Sequence, residues 1–205
     1  MPPGRTQHLV VFVRAPRLGA GKRRLARDIG AVPAVTFYRT EVAGLLRRLR
    51  RAPGLSLWLA VTPDRAARPA RWPKGFRILP QGRGDLGERM ARAFRRLPPG
   101  PAVIVGSDIP DLGPEHVRAA FRALGRSQAV IGPAGDGGYW LVGLARTRPQ
   151  PRTLFRGVRW SSPYAYEDTL ASLPRGWRAA RVMELADVDD GGDYGRWRER
   201  RRGRR

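Results

Sequence analysis

The chain has 205 residues, 41% of them hydrophobic, with 40 Lys+Arg against 17 Asp+Glu for a formal net charge of +23. That length buries roughly 70% of the unfolded surface around one core, which excludes a disordered tail or a staple-dependent miniprotein. The chain has no cysteine, which removes disulfides, thiolate nucleophiles, zinc ribbons and iron–sulfur ligation, and two histidines are too few for a histidine-built site, so any metal must sit on oxygen ligands, which favours Mg²⁺ or Mn²⁺.

Short apolar runs with β-branched content predict strands at 8–13, 55–62, 76–79, 102–105, 129–131, 139–144 and 177–183. Between them, apolar residues spaced by three and four predict helices carrying Val35, Tyr38, Val42, Leu45 and Leu49, then Met90, Ala93, Phe94 and Leu97, then Val117, Ala120, Phe121 and Leu124, then Tyr166, Thr169, Leu170 and Leu173. Strands alternating with helices imply crossover units, hence a three-layer α/β/α sandwich with a mostly parallel sheet. One domain over residues 1–195 is expected, followed by an Arg-rich tail over 196–205, and the Arg- and Pro-rich stretch 146–159 is the expected long loop. The first apolar run, Leu9–Val13, is far shorter than a signal segment or a membrane span, so a cytoplasmic protein is expected.

In sheets of this kind ligands bind beyond the carboxyl ends of the strands. After the first strand, Pro16, Gly19, Gly21, Lys22 and Arg24 combine close-approach glycines, a helix start and positive charge, which suits a nucleotide phosphate; a plain glycine turn with solvated arginines is the bland alternative. Of 40 cations only Lys22 and Lys74 are lysines, and one of the two stands here. After the fourth strand, Asp108 leaves a buried segment in the sequence Gly106-Ser107-Asp108-Ile109-Pro110-Asp111, placed to hold a divalent cation against phosphate oxygens, whereas Asp111 reads as a turn or cap residue. Asp136-Gly137-Gly138 joins two strands and brings a carboxylate and bare backbone toward a sugar or nucleotide, though Asp-Gly is also a hairpin signal. In an extended segment Asp187 and Asp189 project to one side, a pairing that calls for a cation. Asp85, with Glu88 three residues on, reads as a helix cap, and Arg89 lies one turn further in.

Five ordered motifs together resemble the bacterial transferases of the nucleotide-diphospho-sugar (GT-A) superfamily described as a domain of unknown function and as radical-SAM/selenodomain-associated transferase 1. They are Ala15-Pro16 with Gly19, Lys22, Arg24 and Leu25; Gly84 to Met90; Gly106-Ser107-Asp108 with Pro110; Gly132-Pro133 with Asp136 to Tyr139; and Asp187-Val188-Asp189. The loop departs from that family at Leu18, Gly21 and Arg23, where Pro, Val and Thr are usual. The resemblance implies a GT-A-type sheet, a nucleotide-activated substrate with an acceptor, and a metal on Asp108, Asp187 and Asp189. It also implies phosphate or nucleotide contacts from Pro16, Gly19, Lys22, Arg24, Asp85, Arg89, Gly137 and Gly138, with Asp108 and Asp136 as catalytic carboxylates.

Two reactions fit those residues. A glycosyltransferase would take a nucleotide sugar with its diphosphate on Mg²⁺ or Mn²⁺; a nucleotidyltransferase would take a nucleoside triphosphate and release pyrophosphate. A third reading, from another class, is a nucleic-acid-binding protein using clusters such as Arg47-Arg48 with Arg50-Arg51 and the tail. Acidic residues gathered at strand ends oppose it, because they would repel a phosphate chain.

Overall fold

The computed structural model describes residues 5–19 and 21–203, so Ala20 of the glycine loop and Arg204 and Arg205 of the expected tail lie outside the described residues. Seven strands form one sheet in the order β3-β2-β1-β4-β6-β5-β7. They are β1 (Gln7–Arg14), β2 (Leu55–Thr62), β3 (Arg77–Pro80), β4 (Ala102–Val105), β5 (Ala129–Pro133), β6 (Tyr139–Leu144) and β7 (Ala179–Arg181). All seven fall where the apolar runs predict them. Pairing is parallel except around β6, which runs antiparallel to both β4 and β5. The chain has only residues 134–138 between β5 and β6, too few for a crossover, so the two strands close as a hairpin.

Side chains alternate across the sheet. Leu9, Val11 and Val13 of β1 meet the apolar stripes of α2 (Ala31–Arg50) and α4 (Pro114–Leu124) on one face, while Val10 joins α3 (Leu86–Arg96) and α5 (Ala165–Ala171) on the other. These are the three expected layers. Capping fixes where the helices start: Asp85 and Glu88 form a reciprocal capping box on α3, and Pro114 opens α4 after Gly113, so Asp111 lies in the preceding turn rather than at the cap.

A short helix, α1 (Arg23–Ile29), and a last one, α6 (Gly191–Arg202), complete the fold and enclose a small cluster of Leu25, Ala34, Phe37 and Val188 with Tyr194 and Trp197 against it. Residues 196–202, expected as part of a tail, therefore lie within α6. Asp190 caps the helix, and the Tyr194 and Trp197 rings sit 5.1 and 4.9 Å from Phe37 in edge contacts, each worth about 0.5–1.5 kcal/mol beyond its buried area. The expected long loop is present. It leaves β6 at the foot of the sheet, where Arg146 donates to the carbonyls of Leu97, Pro98 and Gly100, and climbs over α3 to the opposite edge, where Pro163 closes on Gly137.

Candidate active site

The carboxyl ends of β1 and β4 carry the central feature. Past β1 the chain turns through Gly19 and Gly21, at φ +73° and +89°, and reaches Lys22, itself left-handed at φ +46°, immediately before α1. Glycine takes such angles without strain. The turn returns the Lys22 ammonium over the strand ends, where it donates to Asp108 Oδ2 at 2.9 Å and Asp189 Oδ1 at 2.5 Å. The Lys22 side chain is only 8% exposed, against 38% and 41% for its two partners. Burial alone would lower the Lys22 pKa; the charges and hydrogen bonds of Asp108 and Asp189 more than offset it and hold the amine firmly protonated.

Each partner is set by its own support. Asp108 follows β4, whose four residues are all buried, through Gly106 and the buried Ser107. The Tyr38 hydroxyl accepts from the Arg14 backbone N–H at 3.2 Å and stands 2.9 Å from Ser107 Oγ, so α2 ties the end of β1 to the Asp108 loop. On the far side, Arg48 donates from Nε to the Leu112 carbonyl and from Nη2 to the Pro110 carbonyl. One arginine of the cluster read as phosphate-binding thus clamps the turn after Asp108. Asp189 lies in the extended segment entering α6. Val188 is buried in the cluster under that helix, and the neighbouring Asp187 and Asp189 turn to the crevice side, as the alternation predicts. The Asp193 carboxylate accepts from the Asp189 and Asp190 backbone N–H groups at 2.9 and 3.3 Å, which fixes the chain at Asp189.

Asp187 lies within electrostatic reach of three further carboxylates, Asp189, Asp108 and Asp136. Burial pushes the Asp187 carboxyl up to about 7, helped by the charges of Asp189, Asp108 and Asp136 and opposed by Lys22. Asp136 is exposed in the β5–β6 turn, where its Oδ1 accepts from the Gly138 N–H at 2.9 Å. Gly137 stands at φ +82°, and a Cβ there would meet the Pro163 carbonyl oxygen at 2.2 Å, so its freedom serves the approach of the long loop.

The other expected residues stand apart from this group. Asp85 is occupied in capping α3. Arg89 donates to the Asp85 carbonyl and to Gln81 Oε1, with burial and the nearby Arg14 lowering its pKa. Arg24 is exposed and makes no polar side-chain contact among the described residues. Pro16 lines a cavity of about 320 Å³ with Arg17, Arg39 and Trp72, and no carboxylate lines it. Tyr38, Arg48 and Asp193 are the residues that sequence reasoning did not assign to the site. Only Asp193 carries a local signal, its capping spacing from Asp190.

Among the described residues no three acidic or histidine side chains form a ready metal cluster. The donor set nonetheless fits a hard dication: it is all oxygen, its charges add to the burial that raises the Asp187 carboxyl, and two of its members already share a cation, the Lys22 ammonium.

Residues 45–162 match the family described as "Uncharacterized protein conserved in bacteria (DUF2064)". The chain belongs to this family. The resemblance read from the five motifs is thereby borne out. A solved structure from Desulfovibrio desulfuricans G20, described as a "putative nucleotide-diphospho-sugar transferase", aligns at a TM-score of 0.81 with 31% identity over 90% of this chain and 82% of that one. At fold level, the 4-diphosphocytidyl-2C-methyl-D-erythritol synthase of Anaerococcus prevotii DSM 20548 aligns at a TM-score of 0.56 with 12% identity, covering 92% and 94% of the two chains. Rv0371c of Mycobacterium tuberculosis H37Rv, solved as a manganese complex, aligns at 0.53 with 17% identity over 94% and 97%. No curated protein matches in sequence. The fold is thus of the nucleotide-diphospho-sugar transferase type, and no helix among the described residues is long and apolar enough to cross a membrane.

Proposed function

We propose that this protein is a metal-dependent transferase that acts on a nucleotide-activated substrate, a nucleotide sugar, and passes the sugar to an acceptor hydroxyl. The observation that carries the reading is the pairing of Asp108 and Asp189 on the Lys22 ammonium at the strand ends, with Asp187 within electrostatic reach of all three, an acidic group inside a chain of net charge +23. A surface salt bridge does not need two carboxylates on one buried cation with a third acid beside them, whereas a diphosphate site does need such a group: it must hold a dication and a phosphate-binding amine side by side.

Asp108, Asp187 and Asp189 would hold Mg²⁺ or Mn²⁺, which supplies neutralisation of the charge that develops on a departing nucleoside diphosphate. Lys22 binds a phosphate oxygen from the glycine loop, close to the first turn of α1. Asp136 has one carboxylate oxygen on the Gly138 N–H, which leaves the other to accept the proton of the acceptor hydroxyl. The Tyr38–Ser107 contact and the Arg48 clamp keep Asp108 in place while the loop containing Lys22 adjusts.

Incubation with each nucleotide sugar and each nucleoside triphosphate in Mg²⁺ tests this. Release of a nucleoside diphosphate from a nucleotide sugar is the expected result. Pyrophosphate release from a triphosphate would replace it with nucleotidyl transfer on the same residues, and the absence of either product would overturn both.

A further inference from the structure

We infer that Lys22 is the resident cation of the carboxylate site: its ammonium holds Asp108 and Asp189 together in the ligand-free protein and must leave them before a dication can bind, so that metal enters with the polyphosphate rather than ahead of it. The inference rests on the proposed metal site and adds to it an order of binding.

Charge inventory gives the first reason. The only cation paired with Asp108 or Asp189 among the described residues is Lys22, and neither Asp136 nor Asp187 has an ion pair there, although the chain holds 40 Lys+Arg. None of the arginines among the described residues pairs with this group. A guanidinium presents a planar fork suited to both oxygens of one carboxylate; an ammonium is a compact point charge that can sit between single oxygens of two carboxylates, as a metal ion does.

Competition is the second reason. With Nζ at 2.9 and 2.5 Å from the two oxygens, the ammonium takes the space and the lone pairs that a dication would need. Two cations within a few ångströms also repel each other, so free metal must expel Lys22 into water, losing two ion pairs. A polyphosphate offers the displaced ammonium new anionic partners, and metal arriving on it meets no such penalty. The backbone permits the exchange: Gly21, directly before Lys22, and Gly19, two residues earlier, both stand at positive φ, where glycine turns freely, so the side chain can be re-aimed without moving β1 or α1.

The test measures Mn²⁺ binding by electron paramagnetic resonance in the full chain, without and with each of ADP, CDP, GDP and UDP. Lys22→Met and Lys22→Gln are expected to bind Mn²⁺ alone at least about tenfold more tightly than wild type, while Arg23→Met, which removes an exposed neighbouring charge, stays within about twofold. Wild type is expected to bind Mn²⁺ tightly only with a nucleoside diphosphate. Equal affinity of wild type and the Lys22 variants for Mn²⁺ alone would overturn the inference and leave the metal site standing. Failure of all of them to bind Mn²⁺ with any diphosphate would overturn the metal site and the inference together. Site-resolved acetylation of wild type needs no variant: Lys22 is expected to react at least about tenfold more slowly than the exposed Lys74, and to speed up on addition of saturating Mn²⁺ alone, which expels it. Equal rates at the two lysines, or a Lys22 rate untouched by bound Mn²⁺, would overturn the inference.

Discussion

Replacing Asp193 by alanine should weaken the protein at a point that joins helix capping to the site. Asp193 is the third residue of α6, and its carboxylate accepts from the Asp189 and Asp190 backbone N–H groups while its Oδ1 pairs with Arg196. Its own N–H donates to Asp190 Oδ1, closing the reciprocal cap. A hydrogen bond to a charged group contributes about 1.5–3 kcal/mol when water is excluded, but the Asp193 side chain is 22% exposed and water replaces part of what is lost. The net cost is about 2 kcal/mol, a fall in Tm of about 4–8 °C for a chain of this size. Asp193→Asn, which keeps one acceptor oxygen, should lose about half as much. Burial alone would raise the Asp193 pKa, but its two backbone donors and Arg196 outweigh that and lower it. Its contribution is therefore complete above the ordinary aspartate range and is lost as pH falls through the lower folded value, so the gap between wild type and variant should close in acid. Denaturant unfolding across pH measures both effects. A loss below about 0.5 kcal/mol at neutral pH, or a gap independent of pH, would refute the claim that Asp193 fixes the chain at Asp189.

Two further predictions concern the crevice and its wall. Burial holds the Asp187 carboxyl up at about 7, so at the proposed metal site a proton would compete with a dication below that pH: apparent Mg²⁺-dependent nucleotide affinity should fall by up to about tenfold per pH unit under pH 7, and Asp187→Asn should flatten the profile at weaker affinity, as calorimetry can read. The same raised pKa favours the neutral carboxyl in the fold, so the metal-free protein should lose stability as pH rises from the ordinary aspartate range to about 7, a slope absent from the Asn variant. Gly87→Ala places a Cβ 2.6 Å from Phe155 Cβ and 2.7 Å from Trp160 Cζ2, so it should destabilise by about 1–3 kcal/mol in thermal unfolding; an unchanged Tm would show that the long loop does not bear on α3.

The sheet and helices α2, α3, α4 and α5 were legible because each buries a face and writes that face as periodicity. Val188 shows the same rule at a single position, its burial turning Asp187 and Asp189 to the other side. Helix α6 was not legible. Three glycines and a run of arginines give Gly191–Arg202 no apolar stripe, and its anchors, Tyr194 and Trp197, bury against a cluster that includes Leu25, Ala34 and Phe37, neighbours distant in sequence. Lys22 could be picked out as a rare lysine after a glycine turn, but its partners could not, because Asp108 and Asp189 reach it only through tertiary packing. The role of Arg48 was hidden for the same reason: exposed arginines and one that clamps two carbonyls read alike in sequence. Asp85 went the other way, its local spacing from Glu88 specifying the capping role that the fold assigns it.

The central claim is that Asp108, Asp187 and Asp189 serve one dication beside a bound diphosphate. Crystals grown with Mn²⁺ and each nucleoside diphosphate in turn, measured at the manganese absorption edge, test it most directly. The account predicts an anomalous peak within ligand distance of these carboxylates, with Lys22 moved onto phosphate. A nucleotide bound with no such peak, or a peak on other residues, would contradict it.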